Sequence, residues 1–386
     1  MNDQLSDVVA LTQEMVRTPS FSGNESAMAK LVAGYMQESG FTDIKTDING
    51  SVLGLIGPAD ADIALLFDGH MDVVPVIGDW KFDPFGGAIV DGRLYGRGST
   101  DMKGGIAAAI CGVAAAARTG RLKKRIAVSA SVLEEVIEGY ALSTVLQHCK
   151  PQAVVICEPS RLKIKVAQKG RMEILLTLHG KPAHAASPEY GVNPLAAAAR
   201  ALLALEKIEL PSDDVVGQAL LVPTDIVSAP YPSISMIPLS ATIRFDRRTL
   251  SGESEHDILA AISACLNQEG IRDFQLKVTN DAVHTFTGET GHPARFLPGW
   301  KLPDDAPLLT NTMRAVVAAG VEPHIGYWGF CTNGSESAGR QAIPTIGIGP
   351  GCEEDAHTID ESVALEQLEK AREIYRHLSL LAGAEG

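Results

Sequence analysis

Ile63-Ala64-Leu65-Leu66-Phe67-Asp68-Gly69-His70-Met71-Asp72 decides how the rest of the chain is read. Five apolar residues in a row have no polar side and are too few for an ordinary helix. Such a run suits a strand covered on both faces, as in a sheet with helices above and below. An imidazole and two carboxylates follow it at once. The same grammar recurs. Ile126 to Val132 leads through Leu133 to Glu134-Glu135, and Ala153 to Cys157 leads to Glu158. Thr345 to Ile348 runs past Gly349 into a loop that reaches His357. Helical stretches at Gly105 to Arg118 and Glu138 to His148 lie between some of these runs, which argues for an α/β domain. In such sheets, sites form in the crevice beyond the carboxyl ends of the strands. Several acids and two histidines should therefore converge there.

Outward from this core, two helices open the chain. Val8, Val9, Met15 and Val16 share one helical face, and Pro19 stops that helix. Asn24 reads as the N-cap of a second helix, and Gly40 as the residue that ends it. The middle differs. Arg171 to His179 alternates, with Met172, Ile174, Leu176 and Leu178 on one side, as in a half-buried antiparallel strand. Asn193 to Leu205 reads as a helix, Ser240 to Phe245 and Phe274 to Val278 as strands, and Glu255 to Leu266 as a helix between them. The expected division is one discontinuous domain, 1–170 and 296–386, with a smaller α+β domain, 171–295, inserted into it.

The chain has 386 residues, 45% hydrophobic and 21% charged, ordinary values that argue against disorder. Its 33 Lys and Arg against 47 Asp and Glu leave a formal charge of −14, which repels nucleic acid and anionic membranes. Neither is an expected partner. The apolar run Ile106 to Ala117 is short of the roughly 20 residues of a membrane span. The start, Met1-Asn2-Asp3-Gln4-Leu5, has no secretory pattern, and six scattered cysteines read as free thiols. A cytoplasmic address is the expectation. Cys157 and Cys352 lie close to candidate ligands in sequence but read as small packed residues.

Crowded acids repel one another, and burying them together is costly unless cations resolve the charge. Imidazole with carboxylate oxygen suits zinc. Asp101, in Gly96-Arg97-Gly98-Ser99-Thr100-Asp101-Met102-Lys103-Gly104-Gly105 before an Ala-rich helix, is the natural carboxylate to sit between two metals. Each residue alone has a plainer reading. Asp101 could cap a helix, His70 could be a packed histidine, Glu134 and Glu135 a solvated strand end, and Glu158 and His357 loop residues. Their joint recurrence at strand ends is what argues for a site.

These residues carry a resemblance. The chain resembles, over nearly its whole length, the zinc-dependent metallopeptidase family of acetylornithine deacetylase, succinyl-diaminopimelate desuccinylase, carboxypeptidase G and aminoacylase. Gly69-His70-Met71-Asp72-Val73-Val74-Pro75 is similar to that family's His-x-Asp-x-x-Pro segment, and Gly96 to Gly105 to its bridging-Asp segment. Glu134-Glu135, Glu158-Pro159 and Ala356-His357-Thr358 resemble its other ligand motifs. Gly180 to Pro188, with Gly191 and Asn193, resembles the start of its lid domain.

The resemblance implies a mixed central sheet flanked by helices, with an inserted α+β lid and dimerisation domain. It implies two Zn²⁺ per subunit, with Co²⁺ or Mn²⁺ as possible replacements. Asp101 would bridge, His70 and Glu158 would complete one metal site, and Glu135 and His357 the other. Glu134 would be the general base. Asp72 would hydrogen-bond the far nitrogen of His70, fixing its tautomer. The peptide after Asp101 would be cis. His184 would be an oxyanion donor delivered by the lid into a partner's site, which implies a homodimer through the lid; by itself it reads as a surface-loop histidine. Arg248 would grip a substrate carboxylate, or else be a surface salt-bridge residue. Asn333 and Gly334, in a loop near the metals, and Lys169 would contact substrate.

The sequence departs from that pattern where Leu133 precedes the double Glu and where Val136-Ile137-Glu138-Gly139 lacks the usual Gly pair. Ser235 replaces an Asn of the lid. The implied activity is hydrolysis of a small N-acyl amino acid with a free carboxylate. A dipeptidase or carboxypeptidase using the same machinery is the alternative, and a non-catalytic metal-binding homologue a distant one. No Gly-x-x-x-x-Gly-Lys-Ser/Thr occurs in the Gly-rich stretch, which argues against a nucleotide site.

Overall fold

A computed structural model describes residues 5–384. Residues 1–4, read above for a leader, and the last two of the chain lie outside the described residues. The four apolar runs form the parallel centre of a nine-stranded mixed sheet: Arg125–Ser131, Ile63–His70, Ala153–Ile156 and Thr345–Gly347, side by side in that order. Antiparallel strands extend it, with Val52–Ile56 and Thr42–Thr46 on one side and Ile164–Gln168 and Trp300–Lys301 on the other, and the ninth strand, Ile325–Trp328, pairs parallel with Ile164–Gln168. Leu65, Leu66, Phe67, Val128, Val154, Val155 and Ile346 are buried because helices cover the sheet, as the unbroken apolar runs require. Helices Gly104–Ala117 and Leu365–Ala384 pack on each other and on the central strands.

A second, antiparallel sheet has its own core. Its order is Leu220–Ala229, Ser240–Thr249, Gly170–His179 and Phe274–Val278, and Phe296–Leu297 also pairs with Gly170–His179. Met172, Ile174, Leu176 and Leu178 are all buried, sharing a core with helices Pro194–Leu205 and Glu255–Gln268. The alternation expected from the sequence is the one observed. Asn193 Oδ1 accepts from Leu195 N at 3.0 Å and Ser254 Oγ from Asp257 N at 3.1 Å, so each helix starts on a side-chain cap. The polar residues of the alternation, Arg171, Glu173, Arg244, Asp246 and Arg248, share the other face.

Local expectations needed correction at three places. The second helix, Ser26–Glu38, has Glu25 rather than Asn24 at its N-cap, and Asn24 N instead closes a turn onto Phe21 O. Glu25 makes no cap bond, because its carboxylate is spent on Gly23 N and Leu133 N. The helix expected from Glu138 begins at Tyr140, since Gly139 is left-handed (φ +78°) and cannot continue a helix backwards. The strand Leu220–Ala229 escaped notice because Pro223 interrupts its pattern; it is an edge strand with a bulge between Pro223 and Asp225, where a missing N–H is tolerated. Among the described residues, no helix is long and apolar enough to cross a membrane.

Candidate metal centre

The parallel strands deliver the acids to one edge. His70 is the last residue of its strand, Glu134 and Glu135 follow Ser131 by three and four positions, and Glu158 follows Ile156 by two. The strand ends are tied together, with Met71 N donating to Ser131 O (2.8 Å) and Cys157 N to Asp68 O (2.9 Å). Asp101 arrives on the irregular turn Ser99–Lys103. That turn begins after Gly98, whose φ of +83° is one an L side chain rarely adopts. The Asp101–Met102 peptide is cis, as the resemblance implied. His357 comes from a loop and is half exposed.

Asp101 faces both histidines. Its Oδ1 lies 3.0 Å from His70 Nε2, and its Oδ2 lies 3.2 Å from His357 Nε2. Glu158 Oε1 is 3.6 Å and Glu134 Oε2 4.0 Å from His70 Nε2, while Glu135 Oε2 is 3.0 Å from His357 Nε2. His70 Nδ1 lies 2.9 Å from a main-chain oxygen, that of Asp72, which can only accept. Nδ1 therefore carries the proton, and in the neutral ring Nε2 turns a lone pair towards the acids. Here the expectation is corrected in detail. The short partner is the Asp72 carbonyl, and the Asp72 carboxylate stands off at 3.6 Å. That carboxylate instead accepts from Ser22 Oγ (2.7 Å), Glu134 N (3.1 Å) and Glu135 N (3.2 Å), so it holds the turn that presents both glutamates.

The electrostatics are those of a cluster with too much negative charge. Burial first, and then neighbouring acids (Glu158 and Glu138), raise Glu134 well above the usual carboxylate range against the pull of His70. Burial and the charge of Asp101 do the same to Glu158 and, less strongly, to Glu135. Burial would lower His70, but Glu158, Asp101 and Glu134 outweigh it and raise it well above its ordinary value. Hydrogen bonds to Asp101 and Glu135 push His357 up to about 10. Asp101 goes the other way: the two histidines overcome burial and hold it below the usual range. Four carboxylates and two imidazoles with converging lone pairs fit divalent cations, and an acid with one oxygen toward each histidine fits a bridge between two. His70, Glu134 and Glu158 form one close group of donor atoms, and His70, Asp101 and Glu135 another.

The other sequence candidates lie elsewhere. His184 is exposed, and its ring accepts from Ala186 N at 3.0 Å. Arg248, on the charged face of the second sheet, pairs with Asp246 at 2.7 Å. Lys169 Nζ donates to Gln218 O at 2.6 Å. Asn333 is buried with its amide fully engaged, accepting from Gly139 N (2.6 Å) and donating to Asp68 Oδ2 (2.8 Å) and Ser131 Oγ (2.9 Å). Gly334 packs so tightly on Trp300 that a Cβ would fall 2.4 Å from its Nε1.

Sequence reasoning missed the acids behind the cluster. Glu361 Oε1 accepts from Thr100 N (2.9 Å) and Asp101 N (3.0 Å), and Glu361 Oε2 from Arg97 Nη1 (2.7 Å). Asp68 is wholly buried and accepts from Ser129 and Asn333. The one hint in the sequence was an arginine, Arg97, inside the bridging-Asp segment; its burial, and with it the need for the acid Glu361, comes from the fold.

Residues 66–380 match the model of peptidase family M20/M25/M40. Protein YgeY of Escherichia coli strain K12, itself uncharacterised, is 29% identical over 98% of this chain and 95% of its own. Succinyl-diaminopimelate desuccinylase 2 of Shewanella loihica is 30% identical over 95% of this chain and 97% of its own. The crystal structure of an M20 family metallo-carboxypeptidase from Sulfolobus solfataricus aligns with a TM-score of 0.76 at 16% identity, covering 99% of this chain and 100% of that one, a likeness of fold.

Proposed function

The chain belongs to peptidase family M20/M25/M40 and is a metal-dependent amide hydrolase; from that premise we propose that it uses two divalent cations to cleave the amide of a small N-acyl amino acid with a free carboxylate. One observation carries the reading: Asp101 turns one oxygen to His70 and the other to His357. Zinc suits the nitrogen and oxygen donors, and cobalt and manganese accept similar sets. His70 and Glu158 serve one cation, and Glu135 and His357 the other. When bound, such a pair supplies Lewis acidity toward the scissile carbonyl and acidifies water. Glu134, buried and raised in proton affinity, takes the proton of the attacking water and returns it to the leaving amine.

Residues 171–295 act as a lid and dimerisation unit. His184, exposed on a segment bridged to Met236 and with its ring bonded only to Ala186 N, is the oxyanion donor of a second copy's site. The free edge strand Leu220–Ala229, with Leu220, Val222, Ile226 and Val227 exposed, supports pairing between copies there. Arg248 exchanges Asp246 for the substrate carboxylate. Asn333 ties the ends of two central strands together through Asp68 and Ser131, and Gly334 packs on Trp300, so both act on the site from behind.

The desuccinylase relative favours an N-acyl substrate, and the same machinery would serve a dipeptidase or carboxypeptidase. A panel of N-succinyl and N-acetyl amino acids against dipeptides, with metal-reconstituted enzyme, separates them. No turnover on that panel with both ions bound would defeat the hydrolytic reading of the site. Mixing His184→Ala with Glu134→Ala protein tests the shared site, since activity should return only in the mixed dimer.

A further inference from the structure

The turn that carries Asp101 cannot hold itself. Asp101 (φ −119°, ψ 94°) and Met102 (φ −136°, ψ 37°) are not helical, so the amides of this segment lack the regular acceptors of a helix. Two consecutive amides, Thr100 N and Asp101 N, go to one oxygen of Glu361. The other oxygen takes Arg97, and both side chains of this pair are almost completely buried. Next to it, Thr100 Oγ1 donates to Ser362 O (2.8 Å) and Gly96 N to Glu361 O (2.8 Å). Glu361 lies four residues beyond His357. One carboxylate thus joins the two chain segments that meet across Asp101, and it acts on the backbone frame from which the Asp101 side chain projects.

We propose that Glu361, charge-balanced by Arg97, is a positioning residue that sets Asp101 between the two cation sites and thereby the affinity for the second ion. The inference rests on the reading of Asp101 as a bridge. An amide acceptor at the reach of a glutamate is what the turn needs, and the negative charge itself balances Arg97 and the buried Lys103. Acceptor and charge can be separated. Glu361→Gln keeps a carbonyl oxygen at the same reach and loses the charge. Glu361→Asp keeps the charge and falls one methylene short of the amides.

The test is Co²⁺ titration of metal-free protein, read by visible absorption and by a competing chelator, with melting temperature followed in parallel. Wild type should take up two equivalents. Glu361→Asp should bind the second ion at least about tenfold more weakly, the usual scale for loss of a supporting hydrogen bond behind a metal ligand. Glu361→Gln should bind it within about threefold of wild type, even though its melting temperature falls because Arg97 is left unpaired. A residue that served only stability would lose metal in step with melting temperature in both variants. Equal second-ion affinity in the two variants, or a weaker ion in Glu361→Gln than in Glu361→Asp, overturns the assignment while leaving the dinuclear reading intact. Wild-type protein that takes up fewer than two equivalents overturns both.

Discussion

Two dense groups of ionised side chains stand in this molecule, and they solve the same problem in opposite ways. At the ends of the parallel strands, Asp101, Glu134, Glu135 and Glu158 face only two histidines. On the charged face of the second sheet, Glu173 meets Arg171 (2.5 Å), Arg244 (2.9 Å) and Arg295 (3.4 Å). Asp246 there meets Arg248, and Glu138 meets Arg171 at 3.2 Å. The second group neutralises itself with fixed guanidinium groups. The first has only titratable histidines as partners, so its acids stand without a fixed counter-charge. The comparison teaches that a site is marked less by the density of charge than by charge left without a permanent counterpart.

The contrast breaks most visibly if Glu134 is not set apart from its neighbours. Glu134→Gln should lower turnover about 10²–10⁴-fold while elemental analysis still finds both ions. Loss of metal with residual activity would make Glu134 a ligand and not the base. Metal removal comes next in size. At free ion about 100 times the dissociation constant, each bound ion adds about 2.7 kcal/mol of stability. Chelation should therefore drop the melting temperature by a clear margin, and the drop should disappear in a His357→Ala, Glu158→Ala variant. An unchanged melting temperature in wild type would place the needed counter-charge inside the protein after all.

A third test sharpens the acid-rich side. Glu25 is buried with one oxygen unpartnered, and burial, followed by the charge of Asp72, raises its pKa to about 7. The folded state then holds a proton that the unfolded chain releases between pH 4.5 and 7, so this residue lowers stability as pH rises through that window. In metal-free protein, Glu25→Gln should be more stable than wild type by about 3 kcal/mol at pH 8, with the difference gone near pH 4.5. Chemical denaturation at both pH values reads it, and a pH-independent difference would show that the group does not titrate there. The smallest effect belongs to the self-balanced face. Glu138→Gln should cost about 1 kcal/mol and leave metal content untouched, because Arg171 keeps Glu173 and Asp246 as partners. A loss of metal in that variant would join the two groups into one network.

Much of this could be read without coordinates. Residues 70, 134, 135 and 158 lie together because an apolar run ending in a candidate ligand states both the strand and its exit point, whereas Asp101 and His357 arrive on a turn and a loop. The double role of Asp72 was half legible. Its closeness to His70 follows from the pleat, but which of its oxygens takes Nδ1 depends on where Glu134 N and Glu135 N lie, and they come from another strand. Asn333, expected at the substrate, is spent on Asp68, Ser131 and Gly139, partners far from it in the chain. The Pro223 bulge hid an edge strand, since periodicity is lost where register shifts.

By itself, the sequence determined the local matters: which runs are buried strands, which alternate, where chemistry-bearing residues leave the sheet, and that acids outnumber permanent cations there. Those follow from side-chain period and composition, which are written along the chain. The tertiary structure alone decided that Glu361 holds the Asp101 turn, that Arg97 neutralises Glu361, and that the second sheet balances its own charge. A hydrogen bond or ion pair leaves no periodic trace, because its energy depends on distances set only when the strands are side by side.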